Sequence, residues 1–456
     1  MSAPPRDCVK WAVDNGSWIP VWTTEPDISV IKSLATHHLR HVLPTADLIV
    51  TFLAEGTFNR VYDVSPDPPF EFPEDESYVM RVSLPVDPHL KTSSEAATLE
   101  YIRRHTTIPV ARVVAFDASA DNELGFEWIL MEKVPGAPLE QFWDEMSLEA
   151  KFQITKEMAG FIAQLESLRF PAIGNLYFKD EKTTGRIPVA NDSDFELGEM
   201  VHMDFFLYNR IQVSGPRGPF PNPASWMAAL IETEIASLNL LLPPDHPDFD
   251  PLVLALDLCT ERNTILNNCD QLLRLLPLIF KSRKSKREQY VLHHSDLNTG
   301  NILIDPMSFA ITGVIDWELV STYPLWVSRR HPKFMLGQDI KLKGSVHPVE
   351  IECLVPSLVP QSGRIDHYWF QRALNIEGMA LRSHFDYVMR ETREKLSVAD
   401  ELKSEFEYYV GLLELAPHRH GPWLASIYRG RAAAKRASRR GRVRSAFVRI
   451  FKGLTR

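Results

Sequence analysis

The spacing of apolar positions changes period twice along the chain. Two apolar runs, 48–53 and 58–64, are split by Ala54-Glu55-Gly56-Thr57, which predicts a hairpin with a single glycine in its turn. Past a proline-rich loop at 66–76, Tyr78-Val79-Met80-Arg81-Val82 predicts a third strand. The period then lengthens. Glu95, Leu99 and Ile102 share one helical face, and Thr92 and Glu95 have the spacing of a capping box. Short strands are predicted at 112–116 and 126–132, closed by Val134-Pro135-Gly136. Beyond Gly136 the spacing is mainly helical: behind Ser147 as a cap, around 224–240 and 262–280, and again at 365–390 and 397–415. Brief strands at 290–293, 301–304 and 309–315 interrupt it. Residues 1–45 read as helix and loop without a motif. This order predicts an α+β, bilobal molecule. An N-terminal extension (1–47) precedes a small antiparallel-sheet N-lobe with one helix (48–135), a large, mainly helical C-lobe (136–428) and a tail (429–456).

A chain of 456 residues is too long for one small core, which agrees with two lobes. No apolar run approaches the ~20 residues needed to cross a bilayer. The opening MSAPPRDCVKWAVDNG has no basic start followed by an apolar stretch, and Asp7 and Asp14 break any arginine-rich leader. The four cysteines, Cys8, Cys259, Cys269 and Cys353, are scattered and read as free thiols of a reducing compartment. Together these features predict a cytoplasmic protein without a transmembrane segment. The net charge of −9 is uneven: residues 429–456 hold eleven Lys and Arg and no acid, so the rest of the chain carries −20. In the tail, Phe447, Ile450, Phe451 and Leu454 fall at helical spacing among Arg444, Arg449 and Lys452. It reads either as a solvated segment or as a basic amphipathic helix suited to an anionic surface or a partner. Nucleic acid is not expected, because the body is acidic and the tail has no interleaved aromatics for base stacking.

The chemistry concentrates in LHHSDLNTGNILID, residues 292–305. Asp296 and Asn301 stand five apart, ahead of the apolar strand Ile302–Ile304. Phosphoryl transfer needs a base beside the attacking hydroxyl, divalent metal over the phosphates and a cation on the nucleotide. A carboxylate suits the first role. An amide oxygen with a second carboxylate suits Mg²⁺, which keeps most of its waters. Asp316, in Val314-Ile315-Asp316-Trp317-Glu318, is that second carboxylate at the end of another strand. His294 is read as structural, Trp317 as packing, and Glu318 is open between a metal, an acceptor and a salt bridge.

HSDLNTGN, NILID and VIDWE together resemble the aminoglycoside phosphotransferase and choline kinase-like family. FNRVYDV, YVMRVSLPVDP, SEAATLEYIR, IPVARVVAFD, ILMEKVPG and GPFPNPASW resemble its fungal branch. The resemblance implies a protein-kinase-like fold, ATP and Mg²⁺ as cofactors, and a small hydroxyl compound as acceptor, a cationic one suiting the acidic body. It makes Asp296 the catalytic base, and Asn301 and Asp316 the metal ligands. Gly56, Thr57, Phe58 and Asn59 would cover the phosphates, Arg81 would be the strand cation paired with Glu95, and the backbone of Met131 to Lys133 would bind adenine. Two departures stand out: arginine replaces the usual lysine at 81, and the phosphate loop has one glycine. They motivate an alternative, a nucleotide-binding pseudokinase or scaffold. A protein kinase is not expected, because HRD, DFG and APE signatures are missing.

Overall fold

A computed structural model gives residues 9–14, 17–43, 47–67, 77–180, 185–280 (without 244, 248, 256 and 257), 288–335, 367–413 (without 391, 392 and 394–396) and 417–427 (without 422 and 426). The chain begins with a hairpin, β1 (Val9–Asp14) and β2 (Ser17–Trp22), paired from Val9↔Trp22 to Asp14↔Ser17. This departs from the helix and loop expected over 1–45. The signal lies in Asn15-Gly16, a strong hairpin dipeptide. It is obscured because only Trp18 and Pro20 of the two strands are buried, so no clean alternation is written. A helix, Ile28–Leu39, follows, with Asp27 accepting from the Ser29 N–H at 2.8 Å. Its Ile31, Ala35 and Leu39 are almost fully buried, so this part of the extension belongs to the N-lobe core.

The N-lobe sheet contains β3 (Leu48–Glu55), β4 (Asn59–Pro66), β5 (Tyr78–Ser83), β6 (Val113–Asp117) and β7 (Glu127–Glu132). Its order is β3-β4-β5-β7-β6, and every pair is antiparallel. Alternation along β5 sorts its side chains by face. Met80 and Val82 pack toward the helix Ile28–Leu39, while Val79 joins the core on the other face. Arg81 shares the parity of Val79, which carries it to the helix Leu90–His105. That helix buries Ala96, Leu99 and Ile102, each large side chain contributing roughly 1.5–3 kcal/mol.

Beyond Gly136, the two-residue strand β8 (Ala137–Pro138) ties the inter-lobe crossing to the C-lobe. The helix Leu148–Ser167 starts behind Ser147, whose side chain accepts from Ala150 N–H. A three-stranded sheet of β9 (Asn175–Phe178), β10 (Ile187–Pro188) and β11 (Phe195–Gly198) leans on the helix Leu90–His105. Helices Pro223–Leu240, Leu258–Ile279, His367–Met389 and Val398–Val410 build the remaining bulk. Two small antiparallel sheets sit among them. β12 (Tyr290–His293) pairs with β15 (Ser321–Pro324), and β13 (Ile302–Ile304) pairs with β14 (Ile311–Val314) and β8. The fold is thus α+β and bilobal. The tail 429–456 and the segment 281–287 lie outside the described residues.

Candidate active site

β12 and β13 are buried strands, and the loop between them carries the polar groups. Asn298 folds the loop locally, its Oδ1 accepting from Gly300 N–H at 2.8 Å and Asn301 N–H at 3.2 Å. Asn301 Nδ2 then donates to the Asp296 carbonyl at 2.9 Å and to its carboxylate at 3.2 Å. The Asn301 carbonyl accepts from Ile315 N–H at 3.0 Å, so Asp316 follows directly across the β13–β14 ladder. His294 completes the frame. Its Nδ1 accepts from Asp296 N–H at 3.3 Å and its Nε2 faces the Ile315 carbonyl at 3.2 Å. Burial pushes its pKa down to about 4, so the ring is neutral, and both nitrogens hold backbone. Asp296, Asn301 and Asp316 are therefore brought together, two loops locked by one histidine. Trp317 is buried, its Nε1–H bonded to the Val314 carbonyl at 2.8 Å.

A dense charge cluster faces this frame from the N-lobe. Arg81 is ion-paired with Glu95, and its other nitrogen lies 3.0 Å from Asp316 Oδ1 and 2.8 Å from Glu318 Oε2. Lys91, 1% exposed, reaches Glu318 Oε2 at 2.7 Å and Asn59 Oδ1 at 2.8 Å. Asp316 has a left-handed backbone, φ 63°, which asparagine and aspartate tolerate best among side-chain-bearing residues. The turn it makes lets Asp316 and Glu318 reach the same guanidinium. Three carboxylates thus share two cations. Glu318 is drawn down to about 2, since Lys91 and then Arg81 outweigh the effect of burial. Asp316 is pushed up to about 6 by burial and by Glu318, against Arg81. Glu95 is pushed up to about 7, burial again leading. The excess of acid is what a divalent cation would relieve. Among the described residues no three His, Cys, Asp or Glu are gathered as a ready-made metal cluster. An amide oxygen at Asn301 and a carboxylate at Asp316 are nonetheless oxygen donors of the kind Mg²⁺ prefers.

The phosphate loop and the hinge are less simple than the sequence suggests. Gly56 and Thr57 are exposed, but Phe58 packs into the N-lobe core against Phe206, and Asn59 is turned inward. Asn59 Nδ2 donates to Glu318 Oε2 at 2.9 Å, and its Oδ1 accepts from Ser83 Oγ at 2.7 Å. Phe58 and Asn59 therefore anchor the turn rather than line it, and the Gly56 N–H before them donates to the Asn59 carbonyl at 2.8 Å. At the hinge, Glu132 N–H donates to the Arg112 carbonyl and Lys133 N–H to the Ser77 carbonyl at 2.8 Å. Met131 is a buried residue of β7, and Lys133 Nζ is held by Asp63 at 2.5 Å. The N–H groups of 132 and 133 are thus engaged within the N-lobe, so of the backbone expected to meet adenine from Met131 to Lys133 these two donors are already used. The capping box of Thr92 and Glu95 is corrected. The helix begins at Leu90, behind His89 with φ 66°, and Glu95 turns to Arg81 instead.

Residues 49–327 match the sequence model of the APH phosphotransferase enzyme family. The chain belongs to this family. A subtelomeric hrmA-associated cluster protein of Aspergillus fumigatus is 26% identical over 62% of this chain and 59% of its own length. Altered inheritance of mitochondria protein 9, mitochondrial, of Komagataella phaffii is 24% identical over 73% of this chain and 58% of its own. The chain spans less than two thirds of the length of these two relatives. A crystal structure of a putative aminoglycoside phosphotransferase from Ralstonia eutropha is 15% identical, covers 87% of this chain and 99% of that one, and has a TM-score of 0.40. The cytoplasmic expectation is overturned by the yeast relatives, which are mitochondrial by name. It rested on the first residues, the scattered cysteines and the lack of a long apolar run, none of which carries an address.

Two residues of this family member escaped the sequence reading. Lys91 stands in the first turn of a helix, where a lysine ordinarily reads as solvated. Lys333, far from the motif, places its Nζ 2.6 Å from Asp296 Oδ1. Against the upward pull of burial, that ammonium holds Asp296 below the usual carboxylate range. Only the rarity of fully buried lysine, visible in three dimensions, marks the first.

Proposed function

We propose that the protein is an ATP- and Mg²⁺-dependent kinase that phosphorylates a hydroxyl of a small molecule. The observation that carries this reading is the Asn301 amide bonded to the Asp296 carboxylate, with Asp316 next across the ladder. That arrangement supports a base beside two oxygens of the kind that hold a divalent ion. Asn301 and Asp316 would hold the ion, which supplies charge neutralisation of the phosphates when bound. Asp296 orients the acceptor and takes its proton. The acceptor oxygen forms its bond to the terminal phosphorus as the bridging P–O bond breaks, and that electron pair leaves with ADP. Arg81, as the only N-lobe cation touching Asp316 among the described residues, sits where nucleotide phosphate and metal would meet.

The second reading, a nucleotide-binding pseudokinase, has a specific support: Arg81 is engaged by three carboxylates and so is poorly placed to release itself onto phosphate. ADP release across a panel of hydroxyl compounds separates the two. On the kinase reading, Asp296→Asn lowers turnover about 10²–10⁴-fold with the fold intact. Turnover unchanged in that variant, or nucleotide binding with no transfer to any acceptor, favours the pseudokinase. We also propose a mitochondrial location, following the yeast relatives; organelle fractionation tests it.

A further inference from the structure

The base of the proposed reaction has a partner that its own motif does not supply. Lys333 lies in the short turn Lys333–Met335, 37 residues beyond Asp296, and its Nζ is 2.6 Å from Asp296 Oδ1. The turn is not loose. Phe334 N–H donates to the Leu297 carbonyl at 3.2 Å, the Phe334 ring meets Trp143 edge-on, and the Met335 carbonyl accepts from Arg382 at 2.6 Å. The backbone is thus pinned to the catalytic loop on one side and to the helix His367–Met389 on the other. The Lys333 side chain itself is 57% exposed. A long ammonium with a fixed root and a solvated head can change partner at little cost.

We infer that Lys333 is a second phosphate-handling cation, which meets the terminal phosphate of bound nucleotide and stays with it during transfer. This rests on the phosphotransferase reading and deepens it. The other oxygen of the Asp296 carboxylate is bonded to Asn301, one of the two groups suited to the metal. A phosphoryl group passing between that metal and an acceptor held by Asp296 therefore lies within one side chain's reach of Lys333 Nζ. In the resting site the ammonium neutralises Asp296. During transfer it offers N–H donors to the equatorial oxygens, where the negative charge of a loose transition state accumulates. It keeps its proton throughout. Arg81 is held in place by Glu95, Asp316 and Glu318, so its guanidinium does not swing toward the transferred group as the Lys333 ammonium does.

The test is calorimetric binding of Mg²⁺ with ATP or ADP, and in parallel with GTP or GDP, to the full chain and to Lys333→Gln and Lys333→Arg. Loss of one charge-assisted hydrogen bond to the third phosphate predicts that Lys333→Gln weakens the triphosphate about tenfold, and the diphosphate little. Lys333→Arg, which keeps the charge, restores most of the difference. Equal weakening of both nucleotides, or no change in either, overturns this inference while leaving the phosphotransferase reading in place. A wild-type protein that binds none of the four nucleotides overturns both.

Discussion

The two faces of the cleft hold their acids in opposite ways. On the N-lobe face, Arg81 and Lys91 expose 8% and 1% of their side chains, and of the carboxylates they serve Glu95 and Glu318 expose 1% and 10%, with only Asp316, at 33%, reaching the cleft. On the catalytic loop, Asp296 exposes 41% and Lys333 57%. Both faces are built from the same chemistry, ammonium or guanidinium against carboxylate. The difference in hydration gives them different work. An exposed pair is worth about 0–1 kcal/mol and exchanges partners freely, as the proposed base must. A buried network gains little net stability over a greasy replacement, but removing one member strands the others. The dry face therefore sets geometry between the lobes, and the wet face is left to react.

The largest effect that distinguishes the faces is Arg81→Leu. It leaves Glu95, Asp316 and Glu318 with Lys91 alone, and we expect a loss of about 3–5 kcal/mol by urea denaturation. Lys333→Gln, by contrast, should shift stability by less than ~1 kcal/mol. If the two variants unfold at the same urea concentration, the distinction between dry and wet faces is wrong.

A smaller effect, readable only against pH, belongs to Glu127. It lies across the ladder from Ser83, is 1% exposed, and accepts from His89 N–H at 2.8 Å. Burial pushes its pKa from 4.5 up to about 7. A carboxyl whose folded pKa exceeds its unfolded one favours the fold when protonated. Its contribution is whole below 4.5 and is lost as pH rises through about 7. At ~1.4 kcal/mol per pKa unit, the upper bound is ~3 kcal/mol. Wild type should thus lose more stability than Glu127→Gln between about pH 5 and 7.5, by ~1–3 kcal/mol. Parallel stability curves would remove Glu127 from the dry face.

These differences also explain what could be read from the chain before its structure. Tyr290–His293 was legible as a strand because a short apolar run is bounded by polar residues, and the Asp296 and Asn301 spacing is local. At Thr92 and Glu95 the local spacing and the family resemblance point different ways, and the resemblance, which pairs Glu95 with Arg81, agrees with the structure. Their pattern fits a capping box, yet a tertiary partner fourteen residues back, Arg81, takes the carboxylate. Lys91 meets Glu318 and Lys333 meets Asp296 through folding alone, and no periodicity encodes a contact 37 or more residues away. The hinge depends on the same kind of contact. Whether the N–H of Lys133 is available depends on Ser77, which the sequence does not place beside it.

The finest distinction concerns two glycines. Gly136, at the crossing between lobes, has φ 110°, and a methyl there would lie 2.3 Å from Thr312 Oγ1 and 2.7 Å from the Ile304 carbonyl. Gly136→Ala should cost about 1–3 kcal/mol from backbone strain alone, with the clash added. Gly56, the glycine of the phosphate loop, has no such need: the nearest atom to an added methyl is the Asn59 carbonyl at 3.9 Å, an ordinary contact. We expect Gly56→Ala to change stability by less than ~0.5 kcal/mol. Because the backbone N–H groups keep their directions, nucleotide affinity should move by no more than that. A large loss of nucleotide affinity in Gly56→Ala, with stability unchanged, would mean that phosphate approaches the loop closer than a methyl permits. The glycine would then be required by the ligand and not by the fold.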